Sequence, residues 1–268
     1  TAIGYQSLCA NTTGCYNTAT GSNSLKYNTT GSRNAAHGYN ALRQNTTGCY
    51  NTASGNYSLL NNTSGCRNAA FGFRALNTNT TGCCNTAVGM YALECNTTGY
   101  NNTATGYGSL NYNVNGLVNT AVGYFSLYCN TSGCYNTSIG GHSLNNNTGG
   151  CRNTAVGYYA IYKNTAGINN SAYGDESLAC NTTGSCNTAS GYNSLRSNTI
   201  GVYNTAVGRA TLVSNTTGIN NTAVGGLALN YNTTGSCNTG LGYASLRLNT
   251  TGKLNTAVGH QSLYSNTT

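Results

Sequence analysis

Thirteen cysteines, three histidines and three carboxylates are the residues of this 268-residue chain that could do covalent, metal or acid–base chemistry. A dithiol or zinc centre needs closely spaced Cys-x-x-Cys pairs with partners. No such pair occurs, and His37, His142 and His260 are scattered along the chain. The carboxylates are Glu94, Asp175 and Glu176, the last two adjacent. General acid–base work needs dissimilar groups brought to one point. No metalloprotease, nucleophile-elbow, phosphate-loop or dinucleotide fingerprint is present to do so. The sequence therefore predicts no catalytic residue, no cofactor, no metal site and no enzymatic activity.

Two features remain that could carry modification chemistry. Asn-x-Thr/Ser, the acceptor signal for N-linked glycans, recurs in one register, at spacings of 17 or its multiples, at Asn11, Asn28, Asn45, Asn62, Asn79, Asn96, Asn130, Asn181, Asn215, Asn232 and Asn249. The second is the cysteines. Cys49, Cys66 and Cys83 follow one another at intervals of 17, as do Cys134 and Cys151. Cys129 lies close to Cys134, Cys180 to Cys186, and Cys9 to Cys15.

That interval of 17 is the period of the whole chain. From Asn11 to Ser265 the unit N-T-T-G-x-x-N-T-A-x-G-x-x-S/A-L-x-x repeats 15 times without insertion or deletion. Counting Asn11 as position 1, positions 4 and 11 are always Gly and positions 1 and 7 always Asn. Position 15 is Leu except Ile161, position 9 is Ala except Ser138 and Gly240, and position 14 is small. The two glycines predict two corners of positive φ or close backbone approach. The Leu and Ala predict a thin interior. Every charged residue falls in the variable pairs 5–6, 12–13 and 16–17, which must therefore reach water. Both ends fall inside a repeat, so the chain reads as a single continuous solenoid over 1–268 cut from a longer fibre.

A unit of this length is too short for a helix pair, and its Gly, Asn and Thr content opposes helix. Short strands broken by Gly and Asn fit better. The fold class predicted is all-β: a rod-shaped parallel β-solenoid of about 16 coils, one 17-residue coil per repeat. At the ~4.8 Å spacing of parallel strands, 15 coils would span on the order of 72 Å.

Stacking gives each modification candidate a plainer alternative. Asn at positions 1 and 7 can form amide ladders and satisfy turn backbone, and glycans ~4.8 Å apart on one face would be crowded. Equivalent cysteines in neighbouring coils fall within disulfide reach, as Cys49–Cys66, Cys66–Cys83 and Cys134–Cys151 would. Cys129–Cys134, Cys180–Cys186 and Cys9–Cys15 are alternatives within one turn. Equally, the cysteines can be small corner-filling side chains. Either reading favours an oxidising, extracellular setting.

The chain has no Pro or Trp, 5% charged residues and a net charge of +8 spread without a cluster. That is a weak footprint for nucleic acid, and no apolar run is long enough for a membrane span. Tyr5, Tyr39, Tyr107, Tyr124, Tyr158, Tyr192 and Tyr243 share position 12. Such a stripe can stack on sugars or on a neighbouring chain, or simply occupy a solvent face. Position 10 carries an intermittent apolar stripe that includes Val88, Val122, Val156, Val207, Val224 and Val258. So little interior per coil predicts self-association through that stripe, in a filament or a parallel homotrimer.

The run N-T-A-V-G-Y-x-A/S-L-x-x-N-T-T-G resembles repeats in long fibre proteins of phages, algal viruses and surface-attached bacteria. It is similar, more distantly, to the head repeats of trimeric autotransporter adhesins, whose unit is shorter and poorer in Cys. The resemblance implies a structural extracellular fibre or adhesin shaft at a cell or virion surface, with attachment to surface glycans among its possible roles. An ice-binding solenoid is the alternative, disfavoured because threonines such as Thr12–Thr13 are adjacent and others isolated. A polysaccharide-acting β-helix enzyme is a remote third reading.

Overall fold

The structure, a computed structural model, describes residues 1–267. Contacts divide the chain into two compact units, Thr1–Tyr135 and Asn136–Thr268. Each is an all-β parallel solenoid with one short strand per coil. The first holds β1 (Ala2–Ile3), β2 (Thr18–Thr20), β3 (Ala35–His37), β4 (Thr52–Ser54), β5 (Ala69–Phe71), β6 (Thr86–Val88), β7 (Thr103–Thr105) and β8 (Thr120–Val122). The second holds β9 (Thr137–Ile139), β10 (Thr154–Val156), β11 (Ser171–Tyr173), β12 (Thr188–Ser190), β13 (Thr205–Val207), β14 (Thr222–Val224), β15 (Thr239–Leu241) and β16 (Thr256–Val258).

Within each unit every strand pairs in parallel with the next, and the register is one full repeat. Ala19 faces Ala36 and Ala53 faces Ala70 in the first unit; Ala155 faces Ala172 in the second. The predicted coil is therefore the observed one. Alternation along a strand sends position 9 inward and positions 8 and 10 outward. Ala19, Ala36 and Ala53 are fully buried, while flanking residues such as Thr18 and Thr20 stay part-exposed.

The core is a column of position-15 side chains. In the first unit Leu25 to Leu127, and in the second Leu144, Ile161 and the leucines on to Leu246, each have no exposed surface. Position-14 serines close the column's polar side: Ser24 Oγ donates to the Gly21 carbonyl at 2.9 Å, and Ser177 Oγ does the same to Gly174 at 2.8 Å.

Both predicted glycine corners exist, for different reasons. At position 11 the backbone is left-handed, with φ of +129° at Gly21 and +138° at Gly157. At position 4 the constraint is close approach: a Cβ on Gly14 would lie 2.3 Å from the Gly31 carbonyl oxygen. Sequence reasoning did not reveal that non-glycine residues also turn left-handed in every coil. Positions 6, 13 and 15 do so, as in Arg33 (φ 59°), Asn40 (φ 58°) and Leu42 (φ 51°). This conformation costs an L-residue about 1–2 kcal/mol. The coils compensate by inter-coil bonding: Leu42 N–H donates to the Ser58 carbonyl at 3.0 Å while its side chain enters the core.

Candidate functional site

The position-1 asparagines form a continuous buried ladder within each unit. Asn45 Nδ2 donates to Asn28 Oδ1 at 2.7 Å and to its own turn at the Gly48 carbonyl at 2.9 Å. Asn164 repeats the pattern in the second unit, on Asn147 Oδ1 and the Gly167 carbonyl. A second ladder runs through position 7. Asn17 Oδ1 accepts the Asn34 backbone N–H at 3.0 Å, and Asn34 Nδ2 reaches the Gly48 carbonyl at 2.9 Å. Amides placed this way satisfy backbone that the glycine corners strand from any sheet.

This geometry bears directly on the eleven acceptor signals at position 1. Asn28, Asn45, Asn62, Asn79, Asn96, Asn130, Asn181, Asn215, Asn232 and Asn249 are fully buried, and only Asn11 at the chain's start is part-exposed. Each of these amide nitrogens donates into the ladder or its own turn, so a glycan could be attached there only by dismantling that coil. The threonine beside each asparagine is also engaged. Thr29 Oγ1 donates to the Thr46 carbonyl at 3.0 Å, an acceptor that also takes three backbone N–H groups from the same coil. Sequence reasoning missed this third ladder, although the near-invariance of Thr at position 2 was its signal.

The expected disulfides are not formed. Cys49 Sγ accepts the Ser32 N–H at 3.3 Å and donates to the Thr47 carbonyl at 3.3 Å. Cys66 Sγ accepts from Cys49 N–H and donates to Ser64, and Cys83 Sγ accepts from Cys66 N–H and donates to Thr81. Cys134 of the first unit and Cys151 of the second each donate to the carbonyl two residues back. Cys9, Cys15, Cys129, Cys180 and Cys186 hold no disulfide either. The physical reason is visible at Ser32, Ser185 and Ser236, whose hydroxyls occupy the same position and accept the same N–H from the preceding coil. At these coils thiol and hydroxyl are interchangeable, each donating to its own turn and accepting from the preceding coil. Burial pushes the Cys66, Cys95 and Cys129 thiols up, away from the reactive thiolate.

Acidic residues are taken up in ion pairs or solvent. Glu94 pairs with Arg74 at 3.1 Å, Glu176 pairs with Arg196, and Asp175 is exposed. Among the described residues no group of three or more His, Cys, Asp or Glu side chains gathers, and no helix is long and apolar enough to cross a membrane.

The aromatic residues do gather, and more than position 12 is involved. In the first unit an edge-to-face row zigzags between positions 12 and 13 of successive coils: Tyr39, Tyr57, Phe73, Tyr91, Tyr107 and Phe125. Ring centroids lie 5.4, 6.0, 5.6, 5.7 and 5.3 Å apart in that order. Reading position 12 alone hid this row, because every second ring sits one residue later. Next to its end lies an open cavity of about 300 Å³, bordered by Tyr91, Tyr107, Gly108, Asn111, Tyr112 and Tyr128. In the second unit His142, Tyr159 and Tyr162 form a shorter cluster.

The outward face of the strands is the other ordered surface. Positions 8 and 10 place Thr beside Thr in β2 and β7, and Thr beside Val in β6, β8, β10, β13, β14 and β16. Neither the protein-family models nor the characterised proteins compared with the chain give a match.

Proposed function

We propose that this chain is a shaft segment of an extracellular fibre or adhesin, of the kind found in viral and bacterial surface fibres. The observation that supports this reading is that the recurring positions of the repeat serve the coil and its neighbours. Leu and Ala fill the core, Asn and Thr form ladders, and the glycines permit close stacking, so the side chains left over vary from coil to coil. An architecture of this kind transmits length and stiffness. Nothing in it requires an end point, which is what a spacer needs.

Self-association belongs to this reading. The face carrying positions 8 and 10 repeats once per coil, and a second copy of this chain is the partner whose period matches it at every coil. The reading is tested by inserting whole coils within one unit. Particle length seen by electron microscopy should increase by ~4.8 Å per coil; particles that grow in all directions instead would refute a shaft.

One observation favours a second reading. An ice-binding surface needs hydroxyl and methyl groups at fixed two-dimensional spacing on a rigid face. The strand face supplies Thr18 beside Thr20 and Thr222 beside Val224, a pairing hidden while the threonines were counted as isolated. His37, Phe71 and Tyr173 interrupt it, which places this reading second. Thermal hysteresis of the purified chain decides it: a freezing gap supports ice binding, and its absence removes it.

A further inference from the structure

We propose that the notch at Gly108 is a binding subsite for a single neutral pyranose ring. The inference goes beyond the shaft reading and does not depend on it.

Gly108 is at position 13, where every other coil carries a side chain. Its backbone does not call for glycine. With φ of 61° it matches Tyr91 (61°) and Phe125 (50°), its counterparts one coil to either side. What the glycine changes is the surface. It leaves no side chain beside Tyr107, and Phe125 leans into that gap until a Cβ on Gly108 would lie 2.6 Å from Phe125 Cδ1 and Cε1. The remaining space is the 300 Å³ cavity, near the lower limit for small-molecule sites and suited to one sugar ring.

The walls have the required two-sided chemistry. Tyr107 and Tyr112 are 42% and 46% exposed, so ring surface is open to the cavity. Tyr128 braces Tyr112 edge to face at 5.0 Å, and its phenol is pushed up to about 12 by burial and by Tyr112, so it remains a proton donor. The polar edge is Arg74, Glu94 and Asn111. Arg74 Nη1 binds Glu94 Oε1 at 3.1 Å, and Asn111 Nδ2 donates both to Glu94 Oε2 at 3.2 Å and to the Tyr91 carbonyl at 2.9 Å. A pyranose presents C–H groups on its faces and hydroxyls around its rim, which matches open rings beside fixed donors and acceptors.

Charge selects among ligands. An aromatic cage with an uncompensated carboxylate would favour a quaternary ammonium ion. Here the carboxylate is already neutralised by Arg74 and held by Asn111, so the site has no net charge to offer a cation or an anion. A neutral polyol loses nothing by this. Affinity for one ring should be on the order of millimolar.

The test is saturation-transfer NMR on the intact chain with methyl β-D-glucopyranoside, methyl β-D-galactopyranoside and methyl α-D-mannopyranoside as probes. Tetramethylammonium chloride is the cationic competitor. At least one glycoside should receive saturation at its ring protons. Gly108→Asn should weaken that glycoside at least tenfold, because its Cβ must displace the Phe125 ring toward the cavity, while Asn23 and Asn40 show that position 13 accepts Asn at φ of 59° and 58°. Tyr243→Ala, in the second unit, should leave affinity within twofold. Should Gly108→Asn lose its native circular dichroism, Tyr107→Ala at an exposed ring gives the same reading, again a tenfold loss. The proposal is overturned if no glycoside binds at tens of millimolar, if the folded notch variant binds as well as the parent, or if tetramethylammonium binds more tightly than every sugar.

Discussion

Asn62 Nδ2 bridges Asn45 Oδ1 at 2.7 Å and the Gly65 carbonyl at 2.9 Å, and its own Oδ1 accepts Nδ2 of Asn79 at 2.8 Å. One side chain thus closes its own corner and joins three coils. Asn62→Ala removes all three bonds and strands buried partners. A loss of about 3 kcal/mol is expected, read as a lower midpoint in urea unfolding. A midpoint shift worth less than about 0.5 kcal/mol would show that the ladder is ornamental.

The same bonds govern modification. Nδ2 must surrender its ladder position to carry a glycan, so chain secreted from a glycosylating host and folded should show unmodified asparagine at Asn28, Asn45 and Asn62. Intact-mass and peptide mass spectrometry read this directly. Glycans at these buried positions on protein with native circular dichroism would contradict the ladder geometry.

Cys66 acts as a hydroxyl would. Cys66→Ser should keep the fold, because Ser32 and Ser185 already make the same contacts, with stability changed by under about 1 kcal/mol. Reducing agent should leave the melting temperature of the parent unaltered. A fall of several degrees on reduction would mean that cross-links hold the coils after all.

Ile161 is a β-branched residue at φ of 50° in a column of leucines. Left-handed backbone is least tolerable for branched side chains. Ile161→Leu should therefore stabilise the second unit, by about 1 kcal/mol, seen as a higher unfolding midpoint. Destabilisation would mean that packing at this coil outweighs backbone strain.

How far the sequence discloses this molecule depends on what each position answers to. Leu42, Ala36 and Asn45 answer to the neighbouring coil, so one unbroken period exposes the coil length, the core and the ladders. Leu42's left-handed backbone was not legible, since leucine gives no hint of it; it follows from closing a coil around so small a core. The cysteine pairings failed for a related reason. Distance between stacked residues is fixed by the period, but what Cys66 Sγ bonds to depends on turn carbonyls that the period does not reveal. At the notch, Gly108 is visible in the sequence as the one glycine at position 13. Its meaning is not, because the rings around it come from positions 12, 13, 16 and 17 of different coils.

Tyr128 supplies a pH-dependent prediction. Its phenol is pushed from the ordinary 10.0 to about 12, first by burial and then by Tyr112. Between those values the unfolded chain has released this proton and the folded chain retains it. The unfolded state therefore binds fewer protons, and stability must fall as pH rises through that window. Tyr128→Phe should flatten the decline between pH 10 and 12 and remove the last-ionising phenol from a tyrosinate absorbance titration. An unchanged slope and an unchanged titration tail would show that Tyr128 ionises like an exposed tyrosine.

The strand face gives the last prediction. Val88 and Val122 are 39% and 37% exposed on the outward side of β6 and β8, in the intermittent apolar row of position 10. If second copies of the chain pack along this row, native mass measurement of the parent should show a multimer. Val88→Lys with Val122→Lys should then shift it to monomer, since each ammonium would have to be desolvated at a face lacking acidic partners. Both lysines point to water in the monomer, so circular dichroism should remain native and separate dissociation from unfolding. Ice binding predicts a different pair of results for the same proteins: a monomeric parent with thermal hysteresis, and a monomeric variant without it. A monomeric parent that shows no hysteresis leaves the face without either role, and a multimer indifferent to both lysines places its interface elsewhere on the coil.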